Sequence, residues 1–171
     1  MRVGIGYDSH RFAAAEGRKL VLGGVQIPYP RGLVGHSDAD AVAHALTDAI
    51  IGAAGLGDIG AMFPPTNPRW RDADSLDLLK RAYLKVVEAG WSFVSADITV
   101  VAEQPHLAPH VDAMREKLAG ALVAGYSAVS VKAKTNEGMG WIGRGEGIAV
   151  IAVALLTEAR ERQAPRALPA V

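Results

Sequence analysis

The chain contains no cysteine in its 171 residues. That absence excludes a disulfide scaffold, a cysteine-ligated zinc finger, an iron–sulfur centre and a thiol nucleophile. Any metal must therefore sit on histidine and carboxylate. An excess of charge of either sign is also lacking, since 18 Lys+Arg balance 18 Asp+Glu. A neutral balance removes the long-range field that favours nucleic acid or an anionic membrane, so neither is expected as a partner. An anionic ligand has to be held by local groups or bound cations. Long apolar runs are missing as well: the longest, Ile148 to Leu156, has nine residues, against the roughly 18 that a membrane-spanning helix needs. No basic, hydroxyl-rich leader precedes the strand-like RVGIGYD. A transit peptide is thus expected to be absent or already removed, and the protein to be cytoplasmic.

What is present is apolar material enough for one core, because half of the residues are hydrophobic and the length fits a single domain of about 100–200 residues. Arg2 to Asp8 reads as a strand and Lys19 to Ile27 as a hairpin around Gly23-Gly24. Ser37 or Asp38 is expected to cap a long helix that runs to about Ala54 and stops at Gly55. Residues from Gly57 to Pro68 read as a functional loop. A second helix is expected from Asp74 or Ser75 to Gly90, a strand from Phe93 to Ala102, and a third helix from Pro109 to near Gly125. Ala128 to Lys134 and Gly147 to Leu156 read as the last strands. This alternation predicts an α/β (α+β sandwich) domain over 1–158, one mixed sheet with helices mainly on one face. The final strand is apolar at both parities, so its second face should be covered by helices or by another subunit. Residues 159–171 carry two prolines and no periodicity and are expected to be a disordered tail.

Three residues suggest a metal. Asp8 and His10 are two apart on a predicted strand and so share a face, and His44 sits in the first helix with Asp40 and Asp48 one turn away on either side. One aspartate and two histidines are a recurrent catalytic zinc set with one open position. D-x-H is equally a common tripeptide and His44 equally a packed helix histidine, so spacing leaves both readings open. His36 and Ser37 precede the helix and could bind an anion at its N-terminus, or Ser37 could simply cap it. Asp40 and Asp48 could orient His44 or solvate a helix face.

The blocks GYDSHRF, LGGVQIP, GHSDADAVAHALTDAIIGAAGLGDIGAMFP, ADITVVAEQP and VSVKAKTNEGMGWIGRGEGIA, in this order, together resemble the 2-C-methyl-D-erythritol 2,4-cyclodiphosphate synthase family of the non-mevalonate isoprenoid pathway. The resemblance runs from residue 1 to about 158. It implies a homotrimer, the three sheets packed around the trimer axis and the active sites at subunit interfaces. It also implies conversion of 4-diphosphocytidyl-2-C-methyl-D-erythritol 2-phosphate to the cyclic diphosphate and CMP, by attack of the 2-phosphate on the β-phosphorus. By motif position, Asp8, His10 and His44 would bind Zn2+, Glu137 would bind Mg2+ or Mn2+, and His36, Ser37 and Thr135 would contact the phosphates. Asp58, Ile59, Gly60 and Phe63 would grip the methylerythritol. The cytidine pocket would come from Ala102 to Ala108, including His106, and from Ala133 and Lys134 to Glu137. Trp141 and Arg144 match positions near the substrate or the axis, with interface packing and a pair to Glu146 as the plainer roles. Pro65 and Asn67 stand where aspartates are frequent, His106 where lysine is, and Lys134 where threonine is. Two other functions compete. The His2Asp set alone permits a metal phosphoesterase on a nucleotide diphosphate, and a silent nucleotide- or isoprenoid-phosphate-binding trimer would bind without turnover.

Overall fold

The structure, a computed structural model, describes residues 1–159; all but the first residue of the expected tail lies outside the described residues. Four strands form the main sheet: β1 (Arg2–Arg11), β4 (Trp91–Val101), β5 (Val129–Lys134) and β6 (Gly147–Glu158), in the order β1-β6-β4-β5. Only β4 and β5 run parallel, so the sheet is mixed. A separate hairpin pairs β2 (Leu20–Leu22) with β3 (Val25–Ile27). Its turn residues Gly23 and Gly24 have φ of +57° and +73°, the two positive angles a tight hairpin turn requires.

Helices α1 (Ala41–Ala54), α3 (Ser75–Glu88) and α4 (Val111–Ala121) cover the buried face. The alternate residues Ile148, Val150, Ala152, Ala154 and Leu156 of β6 and Ile98 and Val100 of β4 join one core with Leu46, Ile50 and Leu79. The expected single mixed sheet with its helices is therefore present. On β1 the usual parity is inverted. Its inward side carries Gly4 and Gly6, where an added Cβ would lie 2.1 Å from the Ala49 carbonyl oxygen and 1.9 Å from that of Ala45. The α1 backbone thus rests directly on the strand. The large residues Val3, Ile5 and Tyr7 point outward, 67%, 70% and 57% exposed, beside Ile151 and Val153 of β6 at 41% each. Among the described residues no helix covers this second face.

Several boundaries differ from the sequence expectations. Asp40, not Ser37 or Asp38, caps α1, accepting hydrogen bonds from Val42 N and Ala43 N at 3.0 Å. The upstream pair is engaged elsewhere, as described below. Gly55 ends α1 as expected, in the left-handed conformation at φ +76°. The Gly57–Pro68 segment is not all loop: α2 (Ile59–Met62) forms within it. Pro109 lies in a 3-10 turn before α4, and α4 stops at Ala121, short of Gly125. No helix of the described residues is long and apolar enough to cross a membrane.

Candidate active site

The close seating of α1 on β1 sets the first site. Asp8 and His10 continue the inward parity of Gly4 and Gly6, and His44 stands in the first turn of α1. Asp8 Oδ2, His10 Nε2 and His44 Nδ1 lie 2.9, 3.1 and 3.3 Å from one another. A tetrahedral site with bonds of about 2.0–2.1 Å puts its donor atoms ~3.3 Å apart. The donor set and spacing therefore fit one divalent cation, and it is the only such cluster of three among the described residues.

Both histidines are oriented from behind. His10 Nδ1–H donates to the Val34 carbonyl at 2.7 Å, which leaves Nε2 free to ligate. His44 turns Nε2 away from the cluster, 2.9 Å from Ser75 Oγ and 3.1 Å from Ser37 Oγ. Burial pushes the Asp8 carboxyl up, but its hydrogen bonds with His10 and His44 outweigh this and hold it at about 2. Burial pushes His10 down, and the Asp8 carboxylate reverses that, so its pKa is raised. Without a metal the two form an ion pair.

His10 and His44 of the triad line a cavity of about 170 Å³ that also meets His36, Ser37, Ile59, Gly60 and Phe63. His36 Nε2 is buried there without a hydrogen-bond partner. A buried, unpaired ring nitrogen is costly unless a ligand satisfies it. In the same cavity wall Phe63 packs edge-on against Trp70, with ring centroids 5.1 Å apart. Pro65 also lines the cavity, whereas Asn67 is spent capping Arg69 N. Asp58 does not line it: its carboxylate caps α2 through Ala61 N at 2.8 Å.

Neither of the two roles weighed for Asp40 and Asp48 is what the structure holds. Asp40 is fully buried, and besides capping α1 it accepts from Gly23 N and Gly24 N at 2.8 and 2.6 Å. Burial pushes its carboxyl up while these amides pull the other way. Asp48 accepts from Ile59 N at 2.7 Å and so anchors α2 beside the cavity. Sequence reasoning missed Ser75 and Asp38 as partners of the site. Asp74-Ser75 was legible as a helix start, but nothing in the sequence placed that start against His44.

A second cavity, of about 210 Å³, is lined by Ala102, His106, Ala133, Lys134 and Thr135 together with Glu103. It shares no lining residue with the first. Glu103 Oε1 accepts from Asn136 N at 2.8 Å and Gly138 N at 3.2 Å, which shapes the loop. At its tip Thr135 Oγ1–H donates to Glu137 Oε1 at 2.6 Å, both side chains being exposed. Within one chain, then, Thr135 and Glu137 are not brought to the triad. A third recess is lined by Ser9, His10, Arg11, Trp141 and Glu146. Arg144 Nε donates to Glu146 Oε1 at 2.6 Å, the plainer of its two expected roles.

The YgbB family profile matches residues 1–157. This chain belongs to the YgbB family. The YgbB chain is 57% identical to the 2-C-methyl-D-erythritol 2,4-cyclodiphosphate synthase of Moorella thermoacetica, over 92% of this chain and 96% of that protein. It is 58% identical to the synthase of the same name from Symbiobacterium thermophilum, over 91% and 98%. A solved 2C-methyl-D-erythritol-2,4-cyclodiphosphate synthase in a CDP-bound form superposes with TM-score 0.83 at 40% identity, covering 91% of this chain and 100% of that one.

Proposed function

We propose that this YgbB chain closes the cyclic diphosphate of 4-diphosphocytidyl-2-C-methyl-D-erythritol 2-phosphate by intramolecular phosphoryl transfer. Cyclodiphosphate synthesis in isoprenoid biosynthesis, a lyase activity, is that of relatives matched over nearly the whole chain at 57–58% identity. The observation that carries the reading is the convergence of Asp8, His10 and His44 in such a chain. An oxygen of the 2-phosphate forms the new bond to the β-phosphorus. The bond from that phosphorus to the bridging oxygen breaks, and CMP leaves with the oxygen and the electron pair.

The attacking phosphate is already a nucleophile, so catalysis is chiefly positioning and charge neutralisation. Because attacker and target belong to one molecule, holding it folded can supply up to ~7–11 kcal/mol of the barrier. Bound at the triad and at Glu137, Zn2+ and a Mg2+ or Mn2+ ion would supply positive charge to the phosphate oxygens. His36, whose buried Nε2 lacks a partner, and the Ser37 hydroxyl meet phosphate oxygens in the first cavity. Asp58, Ile59, Gly60 and Phe63 grip the methylerythritol end, Asp58 also capping α2. Thr135 contacts the phosphates from the second loop, and Ala102, His106, Ala133 and Lys134 hold the cytidine phosphate. The side-chain amines and ring of Lys134 and His106 line one cavity, which suits a nucleoside diphosphate.

We further propose a homotrimer with its sheets around one axis. The outward row of Val3, Ile5, Tyr7, Ile151 and Val153 supports it, since so much apolar surface on a sheet face calls for a partner. The two cavities, separate within one chain, then meet across subunit boundaries, with Trp141 beside that contact. The reading places the enzyme in the cytoplasm. Incubating the purified chain with the substrate and both metals tests the function: CMP and the cyclic diphosphate are expected. A linear phosphate product, or binding without turnover, overturns it. Mass in solution tests the trimer.

A further inference from the structure

We propose that Asp38 and Ser75 form a positioning relay behind His44, which fixes the ring so that Nδ1 faces the metal. The inference rests on the reading of Asp8, His10 and His44 as a metal centre. It starts from the direction of the hydrogen bonds. Ser75 Oγ–H donates to Asp38 Oδ1, and Ser75 N donates to Asp38 Oδ2 at 3.1 Å. With its own proton committed to a carboxylate, Ser75 Oγ offers only lone pairs to His44 Nε2 at 2.9 Å. Nε2 must then carry the proton, and the lone pair of the neutral ring falls on Nδ1. Nδ1 is the atom 3.1 Å from Asp8 Oδ2.

Ser37 Oγ is also near Nε2, at 3.1 Å, but it is already accepting from Ala39 N at 3.1 Å, and its hydroxyl proton has no carboxylate partner. It lines the cavity and stays available to a ligand. Ser75 is wholly buried and absent from the cavity wall. It therefore touches no substrate, and acts only through His44. The relay also explains why the helix cap falls on Asp40. Asp38 is drawn toward the start of α3, where its N–H donates to the Ala73 carbonyl at 3.1 Å, and Asp72 N donates to the His36 carbonyl at 2.9 Å. These bonds clamp the bend at residues 36–38 to the 72–75 segment. In this way α3 supports a metal ligand carried by α1.

Zinc itself is the probe, its affinity read by competition with a chromophoric chelator on the full chain. Loss of such a supporting partner costs metal affinity about 10–100-fold. Ser75→Ala and the isosteric Asp38→Asn are each expected to weaken zinc within that range, with circular dichroism unchanged. Asp74→Ala is the control, because Asp74 caps α3 through Leu76 N at 2.8 Å without reaching His44; its zinc affinity should equal that of the unmutated chain. The relay is overturned when folded Ser75→Ala or Asp38→Asn binds zinc as tightly as the unmutated chain. It is overturned equally when Asp74→Ala loses the same factor, which would assign the effect to the helix start. An unmutated chain that takes up no zinc overturns the metal reading instead.

Discussion

The metal triad and the Thr135–Glu137 loop carry the same kind of residue in opposite physical states. Asp8, His10 and His44 are half-buried, and each histidine has its second nitrogen occupied by a backbone carbonyl or a serine. Thr135 and Glu137 are exposed and spend their polar atoms on each other. The first site is preorganised by one chain: its donor atoms already stand at metal-binding separations, so little ordering remains to be done when a cation arrives. The second stands apart from the triad within one chain, on an exposed loop. Its loop is shaped by Glu103, and the Glu137 carboxylate accepts from Thr135 Oγ1 at 2.6 Å. What differs is whether folding of a single chain completes the geometry.

The sharpest way to break that comparison is to remove a ligand from the finished site. His44→Ala should abolish zinc uptake and cut turnover by about 10²–10³-fold or more, with oligomer mass unchanged; full activity without zinc would reject the ligand assignment. Next is the seating that aligns the triad. In Gly6→Ala the new Cβ would meet the Ala45 carbonyl at 1.9 Å. Overpacking of this kind costs about 1–3 kcal/mol or more, to be read as a fall in thermal midpoint together with weaker zinc binding. An unchanged midpoint would mean that α1 can slide on β1.

Glu137→Gln should act on the other half alone. It is expected to raise the magnesium or manganese concentration needed for half-maximal activity roughly tenfold, on the scale of one lost ligand, and to leave zinc content intact. Loss of zinc in that variant would show that the two regions are not separable.

The smallest effect is on pH dependence in chelator. Asp8, lowered from 3.8 to about 2, contributes stability that is fully present above pH 3.8 and is lost as pH falls toward 2. His10, raised above 6.5, contributes stability that is fully present below pH 6.5 and is lost as pH rises through its folded value. The pair therefore supports the metal-free fold best between those two values. His10→Gln should flatten the upper edge of the melting-temperature profile, and an unaltered profile would show that the ion pair adds nothing.

Much of this was legible in the chain. The Gly23-Gly24 turn, the helix ending at Gly55, the strand from Gly147 and the pairing of Asp8 with His10 on one strand face follow from local rules, in which a residue's type acts on its immediate neighbours; that His44 joins them, 34 residues on from His10, does not. The α1 cap was misplaced because Ser37, Asp38 and Asp40 are all good capping residues by type. Only the position of Ser75, distant in sequence, drew Asp38 away and left the cap to Asp40. The cap that Asp58 supplies to α2 was hidden for a related reason: α2 is one turn long and depends on Asp48 for its first amide, a contact that no periodicity reports.

By itself, then, the sequence determined that any metal would be held by nitrogen and oxygen, that one mixed sheet would carry the helices, and which residues could ligate. Those are properties of side-chain chemistry and of short-range pattern. Tertiary structure alone decided that glycines rather than Val3, Ile5 and Tyr7 face the helix, because that is where the α1 backbone comes closest. It also decided which nitrogen of each histidine points at Asp8, since that is set by a carbonyl at residue 34 and a hydroxyl at residue 75, partners that meet the rings only once the chain has folded.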